Sequence, residues 1–382
     1  MLRHHPKIKS HGDEPRRRRR ASRASPLDND DLLAEILLRL PPQPSCLPRV
    51  GLVCRQWRRL VVDPRFVRRF RAHHQAPPVL GFFLTSGRFF PTQDPPERAP
   101  PTLSALDPWG GHQTGVLSWR FHGCRHGLVL SEITTKKSGL RIKELMVFDP
   151  MTGNLSRVPI TTRDPATTLV AVAVVAARGG IDRRSFRLVA LFSVSDEGRR
   201  GMAASVYSSD SGTWVDSIGT VFPQPVYSIH HPSTLVGNAV YWLLYNGEIL
   251  QFDLERQSLA TIKQPPHGDV VDYSCWIMPA GDGHFGLAVL FGRCIQFWER
   301  ETEFSSAAGW ELCRIVQLDR VLPLELKDNV SPLRLIGFAE ESNVIFISAD
   351  DGVFMIQLES MQLKKVPTKT AITYYVYPYS SF

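Results

Sequence analysis

Hydrophobic and polar positions alternate with two different periods in this chain, and the change falls near residue 75. Between Leu32 and Phe70 the apolar residues recur every three or four positions, which predicts amphipathic helices. Beyond that point they fall in short alternating runs separated by Gly, Pro, Asn and Asp, which predicts strands and turns. A small helical part therefore precedes a much larger part made of strands.

Three helices are predicted within residues 27–75. Asn29 or Asp28 can cap the first helix, which ends before a pair of prolines. Ser45 can cap a second helix that continues to Val61, and a third, shorter helix follows it. A helical unit of this size buries too little apolar surface for comfortable stability. Its surplus apolar side chains are covered either by another protein or by the strand-rich part, and periodicity alone does not choose between them.

An imperfect repeat fills the strand-rich part. It is clearest in NAVYWLLYNGEILQFDLERQSLATI, residues 238–262, where Asn246-Gly247 predicts a tight hairpin turn. Residues 343–366 follow the same plan, with Asp351-Gly352 at the turn. The equivalent positions in the five segments that share this plan are Phe148, Tyr207, Phe252, Phe297 and Met355. Two successive spacings in this series are 45 residues long.

A period of this length, with several strands in each unit, predicts a mainly β fold: a β-propeller of about six blades behind a small three-helix module. A stacked β-sandwich is the alternative. Five blades are visible, and a sixth could be built from residues 79–130 and closed by the strand at 372–379. Residues 76–108 contain eight prolines and are predicted to form a connector with at most one pair of strands. The propeller domain then covers residues 109–382.

The net charge of +8 is concentrated near the start of the chain. Residues 1–26, which include the run Arg16–Arg20, are predicted to form a disordered basic arm. A role of this arm in nuclear import or RNA contact stays open. Residues 76–382 carry no excess of positive charge, which disfavours nucleic acid as a partner of the strand-rich part.

The six cysteines form no C-x-x-C pair, which is typical of buried free thiols in a reducing compartment. No apolar leader follows the first residues, and the longest apolar run, 169–177, is too short to cross a membrane. The sequence thus predicts an intracellular protein, in the cytoplasm, the nucleus or both, with no membrane partner.

Several patterns could carry catalysis or a metal, but each has a simpler structural interpretation. Asp149 and Asp253 occupy matching places in two repeats, as turn-forming carboxylates would. The hexamer GDGHFG, 281–286, fits a dinucleotide-binding motif but is followed by a strand pattern. Three alternating residues of HGCRH would share one face of a strand, without a second ligand cluster at zinc spacing. They are His122, Cys124 and His126. We therefore predict no catalytic residue, no cofactor and no metal site.

The helical part resembles a known motif. Its segments LL-x-EIL-x-RLPP, L-x-RV-x-LVC-x-x-WR-x-LV and DP-x-F are similar to the F-box motif, in the version found in large plant families, especially of grasses. The repeat resembles the kelch-like propeller that follows the F-box in those families. The usual leading Leu-Pro is replaced here by Pro26-Leu27.

The resemblance implies a function. F-box proteins of this kind dock on the Skp-type adaptor of an SCF ubiquitin ligase, and through it on cullin, while their propeller presents an unknown substrate protein for ubiquitination. The positions that match the adaptor-binding residues are Leu32, Ile36, Leu37, Leu40, Pro41, Leu47, Val50, Val53, Cys54 and Trp57. The chain would then be a non-catalytic receptor subunit. Its substrate contacts are expected in segments 160–184, 196–202, 223–232, 264–276 and 318–332.

Two alternatives stay open. The first is a propeller hydrolase or lyase, which would bring acids and histidines together at the mouth of the ring. Its candidate residues are His267, Asp269, Asp272 and His284. The second is a nuclear binding scaffold outside any SCF complex.

Overall fold

The chain changes from helices to strands after residue 75, as the two hydrophobic periods predict. The computed structural model describes residues 27, 29–92, 116–137, 140–160, 167–176, 185–196, 199–216, 229, 231–244, 247–265, 275–281, 284–300, 309–322, 333–368, 372 and 374–382. Four helices come first, and six antiparallel sheets follow within these residues. The sheets form a six-bladed β-propeller, so the sandwich alternative is wrong.

The helices are α1 (Asp30–Leu38), α2 (Cys46–Gly51), α3 (Arg55–Val62) and α4 (Pro64–His74). Asn29 caps α1, because its side-chain oxygen accepts hydrogen bonds from Asp31 N at 2.9 Å and Leu32 N at 3.2 Å. Ser45 makes no capping hydrogen bond to α2. The α4 helix starts with a proline, whose missing N–H costs nothing in the first turn.

The prediction of one continuous second helix is wrong. The helix is divided between α2 and α3, because Cys54 adopts an extended backbone with φ −159° and ψ 172°. Its sulfur accepts a hydrogen bond from Trp57 N at 3.5 Å and so caps the start of α3. Apolar residues on both sides of this break keep a helical spacing, and periodicity therefore does not reveal it.

The strands fall into sheets that follow chain order. Two strands, β1 (Val79–Leu84) and β2 (Phe89–Pro91), precede the first complete sheet, which is β3 (Val116–Arg125), β4 (Leu128–Lys137), β5 (Leu140–Phe148) and β6 (Leu155–Pro159). The second sheet is β7 (Thr168–Ala176), β8 (Phe186–Asp196), β9 (Arg199–Ser208) and β10 (Thr213–Asp216). The third is β11 (Thr234–Val236), β12 (Ala239–Leu243), β13 (Glu248–Asp253) and β14 (Ser258–Lys263).

The fourth sheet is β15 (Cys275–Pro279), β16 (Phe285–Phe291), β17 (Cys294–Arg300) and β18 (Trp310–Gln317). The fifth is β19 (Arg334–Ala339), β20 (Val344–Ala349), β21 (Gly352–Gln357) and β22 (Leu363–Lys365). The five repeat positions marked by Phe148, Tyr207, Phe252, Phe297 and Met355 all lie on the third strand of their sheet. The repeat read from the sequence is therefore confirmed.

Both strong hairpin signals are also confirmed. Strands β12 and β13 pair in register, with Leu243 opposite Ile249 and Gly247 at φ 81° in the turn between them. Strands β20 and β21 pair up to Ala349 opposite Gly352, whose φ is 124°. Only glycine adopts such positive φ angles without strain, so the glycines fix where these hairpins turn.

The sixth sheet combines the two segments that the sequence predicted for it. Strands β1 and β2 lie within residues 79–91, and β23 (Val376–Ser380) completes the sheet in the order β2-β1-β23. The prediction is wrong only in its extent, because β3 and the start of β4, also within the predicted range 79–130, belong to the first sheet. Phe82 lies opposite Pro378, and Phe83 lies opposite Tyr377. Most of the prolines lie outside these strands or at the end of an edge strand, where the missing N–H breaks no ladder bond.

The first strand of each four-stranded sheet lies innermost in the ring, and β23 takes this place in the sixth blade, between β19 and β3. All six innermost strands run in the same direction around the central channel. We call the end of the ring where they begin the front face, and the end where they finish the back face. Neighbouring blades bury apolar faces against each other, as Leu191 and Met202 do against Val240 and Trp242.

Candidate partner-docking surface

The helical module has a small core of its own. It consists of one side of α1 packed on α3 and α4, and its buried members are Leu33, Ala34, Leu37, Leu38, Val61, Phe66 and Phe70. Charged groups outside this core hold α1 in place. Asp30 accepts hydrogen bonds from Gln56 and Arg59, each at 2.8 Å, and Glu35 pairs with Arg69. The hydrogen bond from Gln56, together with Arg59, lowers the pKa of Asp30 although desolvation opposes them.

Several apolar side chains of the module are exposed instead of buried in this core. Leu32 and Ile36, four residues apart on α1, are 51% and 45% exposed. Leu52 and Val53 at the corner between α2 and α3 are 85% and 62% exposed, and Val62 is 65% exposed. Six of the twelve large exposed apolar side chains in the described residues lie between Leu27 and Val62. Such a concentration in so short a segment is typical of a surface that a partner covers.

The module sits on the back face of the ring, beside the first and second blades. A cavity of about 760 Å³ separates them, lined by Leu47 and Phe70 on the helical side and by Leu128 and Asp149 on the first blade. Phe382 also lines the cavity and packs against the helical core, with the Arg71 guanidinium 6.0 Å from its ring centre. The strand that closes the ring thus leads directly into a contact with the helices.

A buried arginine occupies the back end of the central channel. The guanidinium of Arg125 donates to Glu340 at 2.6–3.2 Å, to Val174 O at 2.7 Å and to Ser233 O at 2.9 Å. Glu340 also accepts a hydrogen bond from Leu235 N at 3.1 Å. These bonds join the first, second, third and fifth blades. The free volume beside them is about 40 Å³, so the channel here accommodates no more than a water or two.

The three alternating residues of HGCRH do not share a face. A bulge between Phe121 and Gly123 shifts the register of β3, and His126 lies in the turn after it at φ 55°. Each residue has its own partner, which is Glu132 for His122, Tyr377 O for Cys124 and Glu341 for His126. No group of three or more potential metal ligands lies together anywhere in the described residues.

His122 and Glu132 form a buried pair, with Nε2 and Oε2 3.3 Å apart. Burial lowers the pKa of His122, although the hydrogen bond to Glu132 opposes it. Burial alone would raise the pKa of Glu132, but the hydrogen bond from His122 and the charges of Lys143 and Arg120 lower it overall. A neutral His122 imidazole that donates a hydrogen bond to a charged Glu132 carboxylate agrees with the lowered pKa of each group.

The remaining catalytic candidates have structural roles or lie outside the described residues. Asp149 accepts hydrogen bonds from Met151 N at 2.9 Å, and Asp253 accepts one from Glu255 N at 2.8 Å, so both form the turns that the repeat predicts. The strand pattern at the end of the hexamer 281–286 is confirmed, since β16 begins at Phe285 and includes the last two residues of the hexamer. His267, Asp269, Asp272 and most of the segments proposed to contact substrate lie outside the described residues.

Family models match both parts of the chain. Residues 120–381 match the model described as F-box protein AT5G49610-like, beta-propeller, and residues 30–73 match the F-box-like model. The chain belongs to this plant family of F-box β-propeller proteins. Its four helices are the F-box-like region, and its propeller is the family's C-terminal domain.

Solved structures that the chain resembles are distant. The WD40 domain of SCAP from fission yeast is 17% identical, with a TM-score of 0.36, over 69% of this chain and 54% of that one. The extracellular domain of the one component system BT4673 from B. thetaiotaomicron is 15% identical, with a TM-score of 0.34, and the chain covers 29% of its length. The propeller domain of the Trilobed protease from Pyrococcus furiosus is 7% identical, with a TM-score of 0.33, over 66% and 83%.

No curated protein matches the sequence. Among the described residues, none of the helices combines the length and the apolar character needed to span a membrane. All six cysteines are free, but Cys54 and Cys313 are exposed, unlike the buried thiols that the sequence suggested.

The ten residues that the sequence predicts to bind an adaptor differ in how exposed their side chains are. Those exposed are Leu32, Ile36, Pro41, Val53 and Cys54, and those half-buried are Leu40, Leu47, Val50 and Trp57. Leu37 is only 2% exposed and belongs to the F-box core. Leu52 and Val62 are also exposed and apolar, although neither is among the ten predicted residues.

Proposed function

We propose that this chain is the substrate-recognition subunit of an SCF-type ubiquitin ligase, in the cytoplasm, the nucleus or both. Its F-box docks on the Skp-type adaptor, and through it on cullin, by the exposed apolar surface around Leu32, Ile36, Leu52 and Val53. This surface, on helices that match the F-box model, is the observation that carries the proposal. The chain contributes no catalytic group in this role. It raises the concentration of a target lysine near the charged conjugating enzyme.

We propose that the two faces of the ring have different binding roles. The described F-box helices lie on the back face and leave the front face uncovered, so we place the target protein there. The chain enters each innermost strand at the front face, from positions such as His231 and Cys275, and the segments expected to contact substrate mostly precede these positions. Phe291 and Tyr374, which are 61% and 66% exposed, also lie at front-face ends of strands. We propose that the target binds here.

Adaptor titration tests the proposal. Replacing Leu32 and Ile36 together with alanine should weaken binding of purified Skp-type adaptor by about a hundredfold, if the two contacts together contribute about 2–3 kcal/mol. Both side chains are about half exposed in the free chain, so the thermal midpoint of the variant should stay within about 2 °C of wild type. Isothermal titration and thermal unfolding of both proteins measure these quantities.

Two control variants make the result specific. Val215→Ala with Leu312→Ala removes two similarly exposed apolar side chains from the propeller and should leave adaptor affinity unchanged. Leu37→Ala should instead lower the free energy of unfolding of the F-box by about 2–5 kcal/mol, because it opens a cavity in its core. If wild type binds no adaptor, or binds it no better than the double variant does, the receptor role is wrong.

A further inference from the structure

The two helices α3 and α4 carry the same pattern of arginines. It is Arg-x-x-Arg-Arg, from Arg55 to Arg59 in α3 and from Arg65 to Arg69 in α4. In each helix the last arginine of the pattern pairs with α1, Arg59 with Asp30 and Arg69 with Glu35. Each of the two helices therefore contributes one arginine that forms an ion pair with α1.

The other four arginines of the pattern are left for solvent. Arg55, Arg58, Arg65 and Arg68 are all exposed, and within the described residues none of their side chains makes an ion pair or a hydrogen bond. The members of each pair are three residues apart, so their side chains project from one side of their helix. Two neighbouring helices thus present two pairs of unpaired guanidinium groups.

The local charge is not balanced from within the module. Residues 27–75 contain nine arginines and five acidic residues. Two of the acidic residues, Asp30 and Glu35, are already paired with Arg59 and Arg69, and a third, Asp63, caps α4 through a hydrogen bond from Arg65 N at 2.8 Å. A partner with negative charge would be attracted to this side of the F-box.

We propose that Arg55, Arg58, Arg65 and Arg68 form a docking site for an acidic segment of a partner protein, a stretch rich in Asp and Glu. A planar guanidinium binds a carboxylate through two parallel hydrogen bonds, and a pair of arginines on each helix can hold carboxylates that follow one another along an extended chain. These arginines lie on α3 and α4, whereas Leu32 and Ile36 lie on α1.

The aromatic side chains of these helices favour a protein over a nucleic acid. Sites for single strands combine basic residues with exposed aromatic rings on which bases stack. Here Phe66 and Phe70 are buried, and Trp57 packs against the F-box core. The outward surface thus offers charge without a stacking platform, which suits carboxylates.

The test measures binding of a fluorescent peptide of alternating Glu and Ser to the full-length chain at low ionic strength. Arg16 to Arg20 are first replaced with glutamine in every protein, so that the N-terminal run does not dominate the signal. In this background Arg55→Gln, Arg58→Gln, Arg65→Gln and Arg68→Gln are combined. Because a single exposed ion pair contributes little, the four together should weaken peptide binding at least about tenfold.

A matched control carries four glutamines for exposed basic side chains of the propeller, which are Lys136, Arg141, Arg256 and Arg320. It has the same net charge and should bind the peptide within about twofold of its parent. Thermal midpoints of all three proteins should coincide, since the eight replaced side chains are exposed. Binding should also fall as salt is added.

Three results would overturn the proposal. Equal weakening in both quadruple variants would show that only net charge matters. Tighter binding of single-stranded or duplex RNA of the same charge as the peptide would make the site a nucleic-acid surface. Failure of the parent protein to bind the peptide at low ionic strength would remove the site altogether.

Discussion

At the scale of single residues, Arg125 connects four blades of the propeller. Its guanidinium lies in the channel and is hydrogen-bonded to groups from three other blades, while its side chain is only 4% exposed. A buried charge of this kind is tolerated because Glu340 neutralises it and backbone carbonyls take up its remaining N–H groups. The Arg125–Glu340 pair thus connects blades across the centre of the ring, where the sheets do not pack against each other.

Replacing Arg125 with alanine should therefore destabilise the propeller strongly. The change leaves the Glu340 carboxylate, 17% exposed, without its counter-charge and leaves Val174 O and Ser233 O without a donor. We expect the free energy of unfolding to fall by about 3–5 kcal/mol in chemical denaturation. Arg256→Ala removes an exposed arginine and should change it by less than about 0.5 kcal/mol. A similar fall in unfolding free energy in both variants would mean that the Arg125–Glu340 pair does not stabilise the ring.

His122 predicts how stability depends on pH. Burial lowers its pKa below the ordinary value of 6.5, so below that pH the unfolded chain binds a proton that the folded chain excludes. Its contribution is therefore fully present above about pH 6.5 and is lost as the pH falls towards the lowered pKa. The charged groups around it are Glu132, Arg120 and Lys143.

The measurement compares wild type with His122→Gln at about pH 7.5 and 5.5. Wild type should lose up to about 1.4 kcal/mol more unfolding free energy than the variant over this range, because the variant lacks the excluded proton. Parallel losses in the two proteins would show that His122 binds its proton equally well when folded.

At the scale of elements, the sequence predicted whatever depends on local chemistry. Glycine at a fixed place between alternating runs located the hairpins at Gly247 and Gly352, and the repeat gave five sheets because each blade uses the same order of strands. The cap at Asn29 was recognisable because a short polar side chain precedes an apolar stripe.

Elements that depend on distant contacts were predicted only in outline. The two ends of the strand-rich part were expected to share a sixth blade, but no local pattern fixes its register, in which Phe82 lies opposite Pro378. The role of Leu37 was also ambiguous, because α1 has apolar residues on two sides, and spacing alone does not separate the side packed on α3 and α4 from the exposed side at Leu32 and Ile36. Leu37, which the sequence grouped with the predicted adaptor contacts, lies in the core instead.

At the scale of the whole molecule, closure of the ring depends on β23. This strand covers Phe82 and Phe83, both fully buried, and fills the gap between β19 and β3. Deleting residues 376–382 should expose these apolar faces and make the chain aggregate. Size-exclusion chromatography with light scattering and binding of an apolar dye would detect this.

Deleting Phe382 alone provides the control for that truncation. It removes a contact with the F-box core but none of the strand pairs, so the chain should stay monomeric with an intact ring. A truncation at 375 that remains monomeric, with an unchanged thermal midpoint, would show that the ring does not need β23.

The late position of β23 in the chain also limits the order in which parts of the protein can fold during synthesis. The F-box helices and β2, which ends at Pro91, leave the ribosome long before Val376 does. The core of the F-box is local apart from Phe382, so its helices can fold early. The sixth blade lacks its innermost strand, and β3 of the first blade lacks its neighbour, until residues 376–380 are made. A chain that terminates early anywhere between these points therefore carries an F-box on an open, unfinished ring.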